Sequence, residues 1–323
     1  MPKQQIKLTN FKWTDFKWLD KMSTWGHLLC LVLILLIAIV VCNSIFTKDV
    51  FTREGFEQQQ TFTSKTKVTD IYDPFYADIY EHLVYNKMKD DYEIGQIVNS
   101  TKPTSESIIL DIGSGTGNHV AALAEQGIKS VGLDISTSMI NQAIKKHPGL
   151  EFVHGDALNP HQFPGHSFTH ILCLYHTLYY FKDKAQFFTN AMNWLMPGGN
   201  LVVHIVDREM FDPILPAANP LIMLTPQRHA QKRITQSKIT FDTFKYESDY
   251  QLNHETNHAK FVEKFSNKKT GKTFRRNEHP LYIEPESDIM NFAQEAGFIV
   301  KGEIDLIKVG YEYNKLIIFQ KPA

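Results

Sequence analysis

Cysteine is scarce in this chain. There are three, Cys30, Cys42 and Cys173. The first two lie in an apolar run and the third in a stretch with strand character. None has the spacing of a metal site, and a disulfide framework is implausible. Net charge is nearly absent too: 34 Lys and Arg stand against 35 Asp and Glu, a formal −1. The chain therefore has no overall bias toward nucleic acid. Repetition is slight. FKWTD at 11–15 is followed by FKWLD at 16–20, and two copies of five residues are too few for a solenoid. Lys alternating with Trp and Phe there suits a membrane interface or a solvated tail. With 43% hydrophobic and 21% charged residues the composition is globular. A length of 323 residues allows one sizeable domain with an appendage, or two small domains.

Polar residues are missing altogether from Leu28 to Cys42. With its flanks the run approaches 20 residues, about the length that crosses a bilayer core of roughly 30 Å. A buried core helix would normally carry a polar stripe, so residues 25–46 are expected to form a single transmembrane helix. Lys3, Lys7, Lys12, Lys17 and Lys21 precede the run, and only Lys48 and Arg53 follow closely. This charge bias favours a cytoplasmic N-terminus with the following domain on the other side, and the sequence leaves the side of that domain open. The sequon Asn99-Ser100-Thr101 is compatible with that side, though one sequon in a long chain is close to chance.

The expected organisation is a tail at 1–24, the anchor at 25–46, a polar linker at 47–70 and a domain at 71–323. From Phe75 to Asn99 the pattern is mostly helical, with Tyr76, Ile79, Tyr80 and Leu83 on one face. Strands and helices then alternate. Strands are expected at Ile108–Ile112, Ser130–Leu133, Glu151–Val153, His170–Leu174 and Leu201–Val206. Helices are expected at Asn118–Gln126, Ser136–Lys146 and Lys184–Leu195. This alternation indicates a parallel, doubly wound sheet. Residues 238–283 switch to longer apolar–polar alternation around a turn at 267–271, the mark of an antiparallel insert. A helix at Pro285–Ala296 and strands at Phe298–Ile304 and Lys315–Gln320 close the chain.

Chemistry concentrates at Ile108-Ile109-Leu110-Asp111-Ile112-Gly113-Ser114-Gly115-Thr116-Gly117. An apolar strand runs into a glycine-rich turn and then a helix. Glycines allow tight turns and close approach to a ligand. A dinucleotide site wants G-x-G-x-x-G facing a pyrophosphate. Here the pattern is G-x-G-x-G, and Asp111 would repel a pyrophosphate and favour an ammonium. Asp134, after the next strand, can accept both hydroxyls of a ribose, which suits either kind of nucleoside cofactor. Asp156, after the third strand, can accept an adenine amino group or simply form a turn. Three acids past three successive strands converge on the carboxyl edge, where ligands bind in such sheets.

These motifs, Asp111-Ile112-Gly113-Ser114-Gly115-Thr116-Gly117, Asp134-Ile135-Ser136 with Met139, Gly155-Asp156-Ala157 and Leu195-Met196-Pro197-Gly198-Gly199, resemble those of class I, Rossmann-like S-adenosylmethionine-dependent methyltransferases. The resemblance covers roughly Tyr72 to Pro322. It implies an α/β fold with a seven-stranded sheet, helices on both faces and an antiparallel lid insert at about 207–283. It implies S-adenosyl-L-methionine as cofactor: Gly113, Gly115 and Gly117 against its methionine and ribose, Asp111 near its amino group, Asp134 on the ribose, and Asp156 with Ala157 at the adenine. Ile135 and Met139 belong to the same set, and Leu174 and Tyr175 would line the methyl-donor site. The insert is similar to the lid of small-molecule N- and O-methyltransferases. Gly117-Asn118-His119 resembles the G-x-H variant of amino-sugar enzymes, placing His119 at the cofactor. Tyr72-Asp73-Pro74-Phe75-Tyr76 resembles the aromatic segment that folds over it, placing Tyr72 there too. The Asn/Asp-Pro-Pro-Tyr/Phe signature of nucleobase and amide methylation is missing. Leu174-Tyr175-His176-Thr177 stands in its place, so nucleic acid is not an expected partner.

Methyl transfer needs a positioned nucleophile and, for an amine or hydroxyl, removal of a proton. The candidates are His176, Tyr179 and Tyr180, with His176 open to a packing role and the tyrosines to roles as pocket walls and cation–π faces. His204 and His279 are weaker candidates. Residues 260–276 hold seven basic residues, either a solvated hairpin or a patch for anionic groups. The expected function is a membrane-anchored, single-pass methyltransferase acting on nitrogen or oxygen of a small molecule. The alternatives are methylation of a membrane-proximal protein or lipid, and a non-catalytic cofactor-binding scaffold. No metal is expected.

Overall fold

The computed structural model describes residues 23–46, 61–84, 86–213, 227, 230–241 and 243–323. The aromatic-basic pair at 11–20, the lysines before the apolar run, Lys48, Arg53 and part of the insert lie outside the described residues. The chain divides into two units, 1–58 and 59–323.

In the first unit, Thr24–Phe46 is a helix, α1. Its side chains are described as far as Ala38 and are mostly exposed. Among the described residues no helix is long and apolar enough to cross a membrane. The expected transmembrane helix at 25–46 is corrected on that ground, together with the single-pass membrane localisation, its charge-based orientation and the membrane as a partner.

The second unit begins with a strand, β1 (Thr63–Lys65), and a single helical turn, α2 (Val68–Ile71). Helix α3 (Pro74–Leu83) starts where the Asp73 carboxylate accepts the Tyr76 N–H and Pro74 sets the first turn. Helix α4 (Lys87–Thr101) starts where Asn86 accepts the Lys89 N–H. An alternating series follows: β2 (Ile108–Ile112), α5 (Asn118–Glu125), β3 (Lys129–Asp134), α6 (Thr137–Lys146), β4 (Glu151–His154), β5 (Phe168–Cys173), α7 (Lys184–Trp194) and β6 (Leu195–Val206). The insert contributes β7 (Gln236–Thr240), β8 (Phe244–Leu252), β9 (His258–Asn267) and β10 (Thr273–Tyr282). The chain closes with α8 (Glu286–Glu295), β11 (Ile299–Asp305) and β12 (Asn314–Gln320).

The expected fold class is corrected in a second respect. The described strands number twelve and divide between two mixed sheets, not one sheet bearing an appendage. One sheet has the order β11-β12-β6-β5-β2-β3-β4; the other has the order β1-β10-β9-β8-β7. The reason is strand length. At ten residues each, β9 and β10 pair fully with each other and leave the β10 edge free to take up β1 in parallel. The alternation then buries one whole face: Ala259, Phe261, Glu263 and Phe265 on β9, and Arg275, Asn277, His279 and Leu281 on β10.

In the seven-stranded sheet the chain steps outward from β2 through β3 to β4, then returns to place β5 on the other side of β2. The strand order reverses between β2 and β5, and the crevice at such a reversal is where open α/β sheets bind ligands. One core cluster runs through both sheets, joining Leu110, Ile112 and Leu133 to Tyr250, Phe261 and Leu281. The five-stranded sheet is thereby held over that crevice.

Candidate active site

The turn after β2 is built for close approach. Gly113, Gly115 and Gly117 have φ of 72°, 55° and 84°, a region that favours glycine. A Cβ at Gly113 would stand 2.5 Å from Thr177, on the turn that follows β5. One at Gly117 would stand 2.6 Å from the Phe152 ring. The turn is held open by the neighbouring strand: Asp134 accepts the Gly115 N–H at 2.9 Å and the Ser136 N–H at 2.8 Å. Burial pushes the Asp134 carboxyl up, and these two hydrogen bonds oppose the rise.

The turn borders a cavity of about 270 Å³. Asp111 lies at its inner wall, and its Oδ2 is buried without a hydrogen-bond partner. Burial raises the Asp111 carboxyl to about 6, with Asp134, Asp90 and Glu93 adding to the rise and His119 opposing it. Ile135, Met139, Asp156 and Ala157 line the cavity beside Asp134. Asp156 is exposed and accepts the Leu158 N–H at 2.9 Å, which shapes the turn after β4.

The segment before the sheet forms the roof. Tyr72, Tyr76 and Tyr80 face the cavity. The Ser136 hydroxyl donates to the Tyr72 carbonyl at 2.6 Å, tying the roof to the start of α6. Glu81 on α3 accepts from the Thr116 hydroxyl and from Asn118. On the lid side, Arg275 is fully buried and donates twice to Asp73 at 2.9 Å and once to the Ile71 carbonyl at 2.7 Å. Glu263 is also fully buried. It accepts from Tyr76, Tyr246, Asn277 and His279 at 2.8–2.9 Å. Burial pushes its carboxyl up, but His279 and the other donors outweigh burial and hold it low.

Below the glycine turn, α5 carries His119 into a buried charge cluster with α4. His119 Nε2 lies 3.4 Å from Asp90 and 3.3 Å from Glu93, and Lys89 Nζ lies 2.8 and 2.7 Å from the same carboxylates. Burial lowers the affinity of the His119 imidazole for a proton, yet Asp90, Glu93 and Asp111 together carry it up to about 10. It is an imidazolium at neutral pH. Asp90, Glu93 and His119 could also hold a metal ion. The Lys89 ammonium already supplies the positive charge that a cation would bring.

The sequence-derived site residues divide clearly. Tyr72, Asp111, Gly113, Gly115, His119, Asp134, Ile135, Met139, Asp156, Ala157, Leu174, Tyr175, His176 and Tyr180 come together around this cavity. Gly117 lies behind the wall as the residue preceding α5. Tyr179 is not brought to the cavity: it is fully buried, and its hydroxyl accepts the Val206 N–H at 2.9 Å. His176 stacks on Tyr175 at 4.1 Å. Burial, with help from His204 and Lys89, lowers it to about 3, so the ring is uncharged at neutral pH. His204 is core, bonded to Asn314 at 3.0 Å. Lys89, Asp90, Glu263 and Arg275 did not stand out in the sequence. Charges on a helix or hairpin read as solvated faces, and only the i, i+4 spacing of Lys89 and Glu93 hinted at a buried pair.

Residues 109–199 match the family model for a methyltransferase domain. This segment is a methyltransferase domain. Among curated relatives, the chain is 29% identical over 144 residues to a dTDP-4-amino-2,3,4,6-tetradeoxy-D-glucose N,N-dimethyltransferase from Saccharopolyspora spinosa. The alignment takes in 42% of this chain and 57% of the relative. It is 37% identical over 95 residues to a demethylmenaquinone methyltransferase from Chlorobaculum tepidum, with 29% of this chain and 38% of that one aligned. The chain thus spans little more than half the length of the first relative and less of the second. The fold is similar to that of an amino pentose methyltransferase from Micromonospora echinaspora solved with S-adenosylmethionine bound. The TM-score is 0.55 at 15% identity, covering 76% of this chain and 96% of that one.

The cofactor of a methyltransferase domain of this kind is S-adenosylmethionine, and the residues present fit it. Gly113 and Gly117 let the turn close against Thr177 and Phe152, and Gly113 and Gly115 present its backbone to the cavity. The orphaned Asp111 Oδ2 is an acceptor waiting for a donor such as an ammonium. His119 and Lys89 reach the same wall already paired with Asp90 and Glu93.

Proposed function

We propose that this chain transfers a methyl group from S-adenosylmethionine to a nitrogen of a small molecule of the amino-sugar kind. The observation that carries the reading is the joint placement of Asp134, clamped to the glycine turn through Gly115, and the Asp111 carboxylate, whose Oδ2 has no hydrogen-bond partner, in one roofed cavity. A pyrophosphate would meet Asp111 as a like charge, whereas an amino acid ammonium gains a partner there. In this reading Asp134 holds the ribose, Asp156 and Ala157 flank the adenine, and Asp111, His119 and Lys89 take the charged amino acid end. Leu174, Tyr175, Tyr180 and His176 face the methyl-donor side, with His176 as packing.

When bound, the cofactor would supply a methyl carbon on a sulfonium as the electrophile for the acceptor's lone pair. The protein's part is to bind, orient and desolvate the acceptor and to manage its proton. The roof of tyrosines supports a compact, cationic acceptor, since ring faces attract cations by about 0.5–2 kcal/mol. The amino-sugar relative supports nitrogen over oxygen.

Calorimetric titration of S-adenosylhomocysteine into the full chain tests this reading. Wild type should bind, and Asp134→Ala should lose about tenfold or more in affinity, the scale of a charge-assisted hydrogen bond. NAD should give no heat. A folded protein that ignores S-adenosylhomocysteine would overturn the proposal.

A further inference from the structure

A line of hydrogen bonds runs from the lid into the cavity. Glu263 Oε2 lies 2.8 Å from His279 Nε2. His279 Nδ1 lies 2.7 Å from the Tyr180 hydroxyl, and the Tyr180 hydroxyl lies 2.9 Å from that of Tyr72. Glu263 and His279 are buried to within 1% exposure, while Tyr72, Tyr180 and His279 line the cavity.

The Glu263 charge and a singly protonated His279 ring together set the direction of the line. An ionised carboxylate only accepts, so His279 Nε2 must carry the hydrogen it shares with Glu263. When the ring carries that hydrogen alone, its Nδ1 is bare and can only accept, and Tyr180 donates to it. The Tyr180 oxygen is left to accept from the Tyr72 hydroxyl. Every hydrogen points toward Glu263, and the Tyr72 oxygen is presented to the cavity as a lone-pair acceptor. Tyr76 and Tyr246 both donate to the other oxygen of Glu263, so neither breaks the polarity. Among the described residues His279 is the basic side chain that meets Glu263, at 2.8 Å, and it becomes an ion-pair partner on taking a second proton. The nearby guanidinium of Arg275 is committed to Asp73.

We propose that Glu263, His279, Tyr180 and Tyr72 form a polarised proton relay whose tyrosine end receives a proton from an ammonium-bearing acceptor. The inference rests on the methyltransferase reading and deepens it. A simple amine is protonated at neutral pH and has no lone pair to offer. When it docks, its proton passes to the Tyr72 oxygen as the Tyr72 proton moves to Tyr180 and the Tyr180 proton moves to His279 Nδ1. The line ends as an imidazolium beside the Glu263 carboxylate, with both phenols intact and the amine neutral. Release of that proton to solvent restores the starting polarity. Tyr72 touches the acceptor; His279 and Glu263 act through the tyrosines and are positioning residues. The same lid face suits an ammonium-bearing acceptor. Its buried negative charge and bare oxygen reward a hydrogen-bearing cation and offer nothing to a carbanion.

The test uses the full chain and two cofactor analogues, S-adenosylhomocysteine and sinefungin, which carries an amine where the cofactor carries its methylsulfonium. Calorimetry measures the ratio of their dissociation constants in wild type, Tyr180→Phe and Glu263→Gln. Sinefungin should bind wild type about tenfold tighter, the scale of a charge-assisted hydrogen bond. The ratio should fall toward one in both variants, Tyr180→Phe breaking the line and Glu263→Gln removing its polarity. A purely structural role would weaken both ligands together and leave the ratio in place. A wild-type ratio near one, or a ratio that survives in Tyr180→Phe, overturns the relay alone. Failure of S-adenosylhomocysteine to bind overturns the methyltransferase reading and the relay with it.

Discussion

At Gly113 one hydrogen atom decides whether the turn after β2 can close against Thr177. Comparable precision at His119 comes from charge. Its folded-state value near 10 exceeds the ordinary histidine value of about 6.5, so its stabilisation is fully present below about pH 6.5. That contribution is lost as pH rises toward 10. The groups facing it are Asp90 and Glu93 on α4 and Asp111 on β2, with Lys89 competing for the same carboxylates. The melting temperature should therefore fall by about 4 °C or more across that window, the scale of 1–2 kcal/mol in a domain of this size. His119→Gln should flatten the profile; a wild-type profile that is already flat there would count against the charged cluster. The acids after three strands were legible one by one, because each follows an apolar run at a fixed place. The separation of Tyr179 from Tyr180 was not legible: adjacent residues on a short turn point apart, and only the Val206 N–H shows which one is core.

Among the elements, α3 does the most joining. Its start is capped by Asp73, and the same carboxylate receives two bonds from Arg275 on β10. Its far end reaches the glycine turn through Glu81. Arg275 also donates to Asn277 and the Ile71 carbonyl, a fan of bonds that a lysine cannot reproduce. Arg275→Lys should cost about 2 kcal/mol in urea unfolding, roughly two lost hydrogen bonds, and should weaken S-adenosylhomocysteine binding by loosening the roof. Unchanged stability would show that the clamp is dispensable. In the sequence Arg275 sat in a basic stretch that read equally well as solvated. The alternation of β10 put it on the buried face, and a guanidinium there has to be paired. Helix α4 misled similarly, since its fully buried Lys89 and Glu93 are the residue types expected on a wet surface.

For the whole molecule, the consequence of two sheets is a site with a floor and a roof from distant parts of the chain. A ligand seated between them stabilises the form in which both are docked, by about 2.7 kcal/mol at one hundred times its dissociation constant. Saturating S-adenosylhomocysteine should therefore slow amide hydrogen exchange in α2, α3 and β8–β10 as well as in the glycine turn. Slowing confined to the glycine turn would mean that the roof does not respond to the ligand.

The amino-acid sequence by itself determined the alternating β/α series, the strand-to-glycine turn, the acids at the carboxyl edge and the antiparallel character of the insert. Each of these depends on local periodicity or on a backbone angle that only certain residues tolerate. Tertiary structure alone decided that the insert becomes a second sheet with Thr63–Lys65 at its edge. It also decided that Arg275 and Glu263 turn inward, and that Glu263, His279, Tyr180 and Tyr72 fall into line. Those outcomes depend on pairing and burial between residues up to about two hundred positions apart, and no local pattern carries that information.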